Sequence, residues 1–261
     1  MNRLIFYGTS DSQGVPRMLC SCNVCLSKNR TNNRTRPSVS FNLEEVHFQI
    51  DTSPDFKYQF KTYNDDKVPD YLLFTHAHND HLAGFGDFAD LCFRSDNECK
   101  VIAPAEVMEI IKGRYPYLLK RKGLIFKATN ELNLNGNIIS FHKVNHGYNG
   151  YSYGIKIKQN NGKTWAYVSD AFHVTNKQKS PFMDLNLLIL GTTFWEEKKQ
   201  IELRSVYDVQ EALNLIRELN SQSTIFTHLS HDIDIPNRQS KLPENVRFAY
   251  DGMEVHLPVS D

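Results

Sequence analysis

Residues 75–81 read Thr75-His76-Ala77-His78-Asn79-Asp80-His81, directly after the apolar run Tyr71-Leu72-Leu73-Phe74. Three imidazoles and a carboxylate fall within the six residues 76–81. A short apolar run with polar flanks has the form of a buried strand. A strand end holds the backbone still while the following loop turns several side chains to one point. Neutral imidazole with carboxylate suits Zn, Mn or Fe, and a mixed nitrogen and oxygen set favours a hydrolytic metal over a thiolate-loving one. A lone histidine is usually a packed or surface residue; this density is not explained that way.

Six residues cannot fill the shells of two metals, so further donors are expected at other strand ends. His146 follows the apolar run at 138–144, Asp170 follows that at 163–168, and His228 follows that at 223–227. Singly, each could equally cap an element or sit on the surface. Their shared placement, just beyond a buried strand, raises all three as candidates.

Around these points the pattern alternates strands and helices. Strands are expected at 2–7, 38–43, 46–51, 71–75, 123–127, 138–144, 151–158, 163–168, 187–191, 223–227, 246–249 and 253–257. Helices are expected at 84–93 and 104–112, the latter with Pro104 near its first turn. A third is expected at 205–219, where Val206, Val209, Ala212, Leu213, Ile216 and Leu219 share a stripe. Two packed sheets covered by helices, or a plain α/β layer fold, both fit. No repeat, low-complexity tract or linker divides the 261 residues, so one domain is the economical reading.

A second cluster is Cys20-Ser21-Cys22-Asn23-Val24-Cys25. Three thiols in CxCxxC lack the fourth ligand a closed zinc site needs. His231, three residues past His228, is a candidate for it. The chain has five cysteines, and without a secretory signal such spacing suggests metal rather than a disulfide framework. Cys92 and Cys99 are expected to be structural, Cys92 as a core thiol on a helix.

Composition excludes several classes. Formal net charge is zero, with 30 basic and 30 acidic residues, so no global field collects a polyanion. The locally basic stretch Lys28–Arg36 is ordinarily a solvated loop; the sharper reading is an anion-facing rim. The apolar run of the N-terminus is too short for a signal h-region or a span, which gives the expectation of a cytoplasmic protein with no membrane partner.

The HxHxDH motif with downstream His146, Asp170 and His228 resembles the metallo-β-lactamase superfamily, from Gly8 to Gly252. The resemblance implies an α+β fold, a four-layer αββα sandwich with metals at one edge of the sheets. It implies that His76, His78, His146 and Asp170 hold one catalytic metal and that Asp80, His81, Asp170 and His228 hold the other, with Asp170 bridging. Two such cations would share a hydroxide that attacks an electrophilic phosphorus or carbonyl. Gly8-Thr9-Ser10, Gln13-Gly14-Val15-Pro16, the CxCxxC, Thr227-His228-Leu229-Ser230-His231 and Asp251-Gly252-Met253-Glu254 further resemble the PhnP group of cyclic phosphodiesterases, with part shared by PqqB-type proteins. That implies a structural zinc on Cys20, Cys22, Cys25 and His231, in a loop at about residues 16–36, and a homodimer.

One position departs from that group. Val206 stands where the group usually carries a histidine that protonates the leaving oxygen or binds phosphate. His173, Tyr148 and Tyr151 are candidates to supply the acid instead. The function expected is hydrolysis of a small phosphodiester, cyclic or open, with Mn or Zn at the catalytic pair and Zn at the cysteines. The rivals are a ribonuclease Z-like nuclease acting on tRNA precursors and a PqqB-like metal-binding protein with little catalysis. Nucleic acid is the weaker partner, because neutral charge argues against strong polyanion binding.

Overall fold

A computed structural model describes residues 2–64, 67–95 and 97–258. The first sheet is built from β1 (Arg3–Gly8), β2 (Ser38–Leu43), β3 (Val46–Ile50), β4 (Tyr71–Leu73), β5 (Cys99–Ala103) and β6 (Leu124–Ala128). The chain then crosses to a second sheet of β7 (Glu131–Leu134), β8 (Asn137–Asn145), β9 (Tyr151–Lys158), β10 (Thr164–Val168), β11 (Leu187–Gly191), β12 (Ser223–Thr227) and β13 (Val246–Phe248). Finally β14 (Glu254–His256) returns to pair with β1. Each sheet has seven strands, in the orders β14-β1-β2-β3-β4-β5-β6 and β13-β12-β11-β10-β9-β8-β7.

Within each sheet an antiparallel stretch gives way to parallel strands: β3 to β6 run parallel in the first, and β10 to β13 in the second. Parallel neighbours need crossovers. These carry helices α1 (Phe56–Tyr63), α2 (Asn79–Leu82), α3 (Phe85–Arg94) and α4 (Ala105–Arg114) in the first half, and α5 (Asn176–Lys179), α6 (Val209–Leu219) and α7 (Ile235–Arg238) in the second. The result is the α+β sandwich of two mixed sheets flanked by helices.

Alternation along β10 and β11 shows why these runs are apolar on both faces. Trp165, Tyr167, Leu187 and Ile189 belong to the cluster between the sheets, whereas Ala166, Val168, Leu188 and Leu190 belong to the cluster beneath α6. The two sheets meet where Trp165 stands edge-on to Phe41, centroids 5.0 Å apart, and Phe41 stacks on Phe48 at 4.7 Å. Cys92 and Cys99 are both fully buried.

Three departures from the sequence pattern have local causes. The late helix begins at Val209, not near Ser205. Asp208 caps it, accepting from Glu211 N while Glu211 reaches back to Asp208 N, so Ser205 and Val206 stay outside the helix and line the site. Helix α1 and strands β5 and β7 were not among the elements expected; β7 is short and half exposed, and pairs with β8 as a hairpin. The basic stretch 28–36 is not simply a solvated loop. Arg34 is 1% exposed and donates to Thr31 O, Asn32 Oδ1, Ser230 O and Ile233 O. No helix among the described residues is long and apolar enough to cross a membrane.

Removing the inter-sheet ring should be costly. Phe41→Ala is expected to lower stability by about 3–5 kcal/mol, read as a lower urea midpoint with an unchanged slope.

Candidate metal centre

The candidate donors gather behind strand ends: His76 and His78 in the loop after β4, Asp80 and His81 on α2 that follows it, and His146, Asp170 and His228 just after β8, β10 and β12. Asp51 follows β3 and fixes the start of the histidine motif. Its carboxylate accepts from Thr75 N at 2.9 Å and Thr75 Oγ1 at 2.7 Å, and from His81 Nδ1 at 2.7 Å. On the opposite sheet, Phe172 N donates to Asn145 O and Asn145 Nδ2 donates to Phe172 O, joining the end of β8 to the turn after Asp170. Gly191 lets β11 pass close by, since a Cβ there would lie 1.7 Å from Ser169 O.

The donor atoms converge. His76 Nε2 is 2.9 Å from His78 Nδ1. His146 donates Nδ1–H to Ser205 O at 2.7 Å, which leaves its Nε2 facing Asp170 Oδ1 at 3.6 Å. Asp170 Oδ1 is also 3.2 Å from His228 Nε2, and its Oδ2 is 3.1 Å from His81 Nε2. Asp80 Oδ2 lies 3.3 Å from His81 Nε2 and 3.5 Å from His228 Nε2. Three overlapping sets can each hold a cation: His76, His78 and His146; His76, His81 and Asp170; and Asp80, His81 and His228.

The electrostatics fit a cation. Burial opposes ionisation of Asp170, but His228, His81 and His146 hold its carboxyl well below the usual range. Burial likewise opposes Asp80, where His81 and then His228 prevail. Burial keeps His76, His78 and His146 below the ordinary imidazole value. His81 is raised well above it because Asp80, Asp170 and Asp51 outweigh burial, and His228 is raised by Asp170 and Asp80. Even so, His81 Nε2, His228 Nε2 and Asp170 Oδ2 are buried without a hydrogen-bond partner among the described residues. Orphaned atoms of this kind are costly unless a ligand takes them up. A divalent cation satisfies both the charge and the lone pairs.

His78, Asp80, His146, Asp170 and His228 floor a cavity of about 320 Å³ whose walls include Asp11, Gln13, Arg17, Phe194, Arg204 and Val206. Val206 is therefore an apolar wall of the site. The acid candidates do not reach it. His173 is exposed, stacks on Phe172 with centroids 4.1 Å apart, and lines a separate hollow with Tyr207 and Glu211. Tyr148 is 72% exposed, and Tyr151 packs against Lys143; neither lines the cavity.

The second cluster forms around His231, whose Nδ1 lies 3.2 Å from Cys20 Sγ and 3.5 Å from both Cys22 Sγ and Cys25 Sγ. A tetrahedral zinc with Zn–S of about 2.3 Å and Zn–N of about 2.0 Å would set sulfur and nitrogen about 3.5 Å apart. Burial pushes the Cys25 thiol up to about 11, so a thiolate there needs a cation beside it. The loop is tied to the His228 segment in other ways too. Leu229 N donates to Thr9 O at 2.8 Å, and Arg34 holds Ser230 O and Ile233 O.

Residues 47–229 match the model of the β-lactamase superfamily domain, a segment holding every donor of the first cluster. The chain belongs to that superfamily. Among solved structures, this superfamily member is similar to a diphosphatase from the PhnP family (24% identity, TM-score 0.86, covering 97% of this chain and 96% of that one). It is similar also to Zn²⁺-bound PqqB from Methylobacterium extorquens (17%, TM-score 0.78, covering 98% and 100%) and to the short form of human tRNase Z (15%, TM-score 0.72, covering 98% and 100%). An octanoyltransferase from Porphyromonas gingivalis is 25% identical over 266 residues, which is 97% of this chain and 51% of that protein. The chain thus spans about half the length of that curated relative. The superfamily is hydrolytic and metal-dependent, and the CxCxxC loop lies outside the matched segment.

Asp51 is a site residue that the sequence pattern alone does not single out, as is Arg17 of the cavity wall. For Asp51 the signal was there: it too directly follows a strand pattern, His47-Phe48-Gln49-Ile50, in which polar and apolar residues alternate.

Asp251 anchors the N-terminal loops, accepting from Thr9 Oγ1, Thr35 N and Thr35 Oγ1. Desolvation pushes its carboxyl up to about 7 despite those donors. The folded chain then binds this proton more tightly than the unfolded one, so its contribution is full below about pH 3.9. It is lost as pH rises through about 7. Unfolding in urea between about pH 5 and pH 8 should show stability falling across the window, with a shallower fall in Asp251→Asn. Equal slopes in both proteins would contradict this.

Proposed function

We propose that this β-lactamase superfamily hydrolase is a dinuclear phosphodiesterase that cleaves a small phosphate diester, cyclic or open. The observation that carries the reading is the position of Asp170, whose Oδ1 lies near both His146 Nε2 and His228 Nε2, donors assigned to different ions, while its Oδ2 lies near His81 Nε2. In this reading His76, His78, His146 and Asp170 hold one ion, and Asp80, His81, Asp170 and His228 hold the second. Manganese or zinc would occupy this pair and zinc the cysteine site. When bound, the pair would supply Lewis acidity and activate water near neutral pH.

The chain's own residues do the rest. Asp51 and Ser205 O fix the tautomers of His81 and His146, so both present Nε2 to the centre. Asp80 serves as a ligand and is not free to act as a base. Phe194 and Val206 form an apolar wall against which a leaving group packs. Similarity to the PhnP-family diphosphatase, at near-complete mutual coverage, supports phosphorus as the electrophile. The octanoyl transfer named for the P. gingivalis protein is not carried over, because the lining here is mostly polar and suits a charged substrate.

Turnover of bis(p-nitrophenyl) phosphate with added Mn or Zn tests the reading. The wild-type protein should hydrolyse it, and Asp170→Ala should fall to background while elemental analysis shows that only the cysteine-site ion remains. Full activity in Asp170→Ala, or a wild-type preference for tRNA precursors over small diesters, would contradict it.

A further inference from the structure

Two arginines line the cavity above the donor cluster, and their surroundings differ. Arg204 gives Nη1 to Glu211 Oε1 at 3.0 Å and Nη2 to Asp208 Oδ2 at 3.2 Å and Glu211 Oε2 at 2.5 Å. Two carboxylates thus cancel its charge, and it serves to brace the start of α6. Among the described residues, Arg17 forms an ion pair with one carboxylate, that of Asp11. Its Nη2 pairs with Asp11 Oδ2, and Asp11 is 4% exposed, with its other oxygen taken by Ser10 Oγ and Gln13 N. The Nε of both arginines is buried with no hydrogen-bond partner among the described residues, but only at Arg17 is the charge not cancelled twice over.

The backbone fixes where Arg17 points. Its N–H donates to Cys25 Sγ at 3.3 Å, so the cysteine turn grips the chain at the residue whose side chain enters the cavity. Met18 and Leu19, immediately after it, are almost fully exposed, and the side chain of Arg17 is 16% exposed. An inward guanidinium paired with Asp11 and followed by outward apolar residues leaves its remaining Nη N–H groups at the cavity.

Resting on the phosphodiesterase reading, we infer that Arg17 is the anion-binding group of this site. It donates the Nη N–H groups not spent on Asp11 to a non-bridging oxygen of the phosphate being cleaved. The cysteine loop is the device that holds it there. Val206 cannot donate, so the site lacks a hydrogen-bonding side chain at that wall, and Arg17 supplies one from the opposite loop. Arginine stays charged at all working pH values, so its part is to neutralise charge on the phosphoryl oxygens and not to transfer a proton.

The test compares wild type, Arg17→Ala and Arg17→Lys by kcat and KM on bis(p-nitrophenyl) phosphate, by inhibition with inorganic phosphate, and by metal content. Losing a charge-assisted hydrogen bond should weaken phosphate inhibition and lower kcat/KM in Arg17→Ala by about 10- to 100-fold. Arg17→Lys should recover part of the loss, and added guanidinium ion should partly rescue Arg17→Ala, with metal content unchanged throughout. Unchanged phosphate inhibition and kcat/KM in Arg17→Ala would overturn the inference. So would a loss that tracks loss of the cysteine-site zinc and is not rescued by guanidinium, since Arg17 would then be structural. If wild type cleaves no diester, the phosphodiesterase reading fails; calorimetric titration of phosphate into wild type and Arg17→Ala then decides Arg17 separately, equal affinity overturning it.

Discussion

A carboxylate buried among imidazoles, with one oxygen left without a hydrogen bond, is the constraint around which this molecule is arranged. Asp170 is 2% exposed and lies just beyond the end of β10. An ionised group in that position is costly unless it is paired and its lone pairs are occupied. His81, His146 and His228 supply neighbouring charge and polarity, yet among the described residues Asp170 Oδ2, His81 Nε2 and His228 Nε2 have ion-pair neighbours but no well-formed hydrogen bond. Their geometry is that of a site prepared for cations.

The fold delivers this arrangement by simple means. Sheets with parallel halves place strand ends, and so loops, along one edge. The apolar contacts of Phe41, Phe48 and Trp165 lock the sheets face to face, and donors from both then lie within a few ångströms of each other. Outer hydrogen bonds set the detail: Asp51 aims His81, and Ser205 O aims His146. The N-terminal loops press on the same centre from behind, through Leu229 N to Thr9 O and through the buried Arg34. Burial lowers the Arg34 guanidinium to about 10, so it stays charged at neutral pH while satisfying four acceptors of the surrounding loops.

Much of this was legible in the sequence, for a physical reason. The 76–81 motif is local, and His146, Asp170 and His228 each follow an apolar run that reads as a strand, so the rule linking ligands to strand ends found them. The same rule applied to Asp51 would have found it as well, but a single aspartate before Thr52-Ser53-Pro54 looks like a turn residue. Arg34 and Arg17 were illegible, because their roles are set by contacts some 200 residues away in sequence or by a cavity that only folding creates. The acid candidates His173 and Tyr148 do not line the cavity, because nearness to a ligand in sequence says nothing about direction: His173, with positive φ, stacks on Phe172. The late helix was placed too early because the apolar stripe extends past its cap, and the capping box at Asp208 and Glu211 decides the boundary.

Anomalous X-ray diffraction from crystals of the protein as purified, recorded at the zinc and manganese edges, tests the central claim most directly. The account predicts one peak on either side of the Asp170 carboxylate and a further zinc peak among Cys20, Cys22, Cys25 and His231. Crystals grown with both metals present that show no peak beside Asp170, or a single one bound without it, would contradict the account.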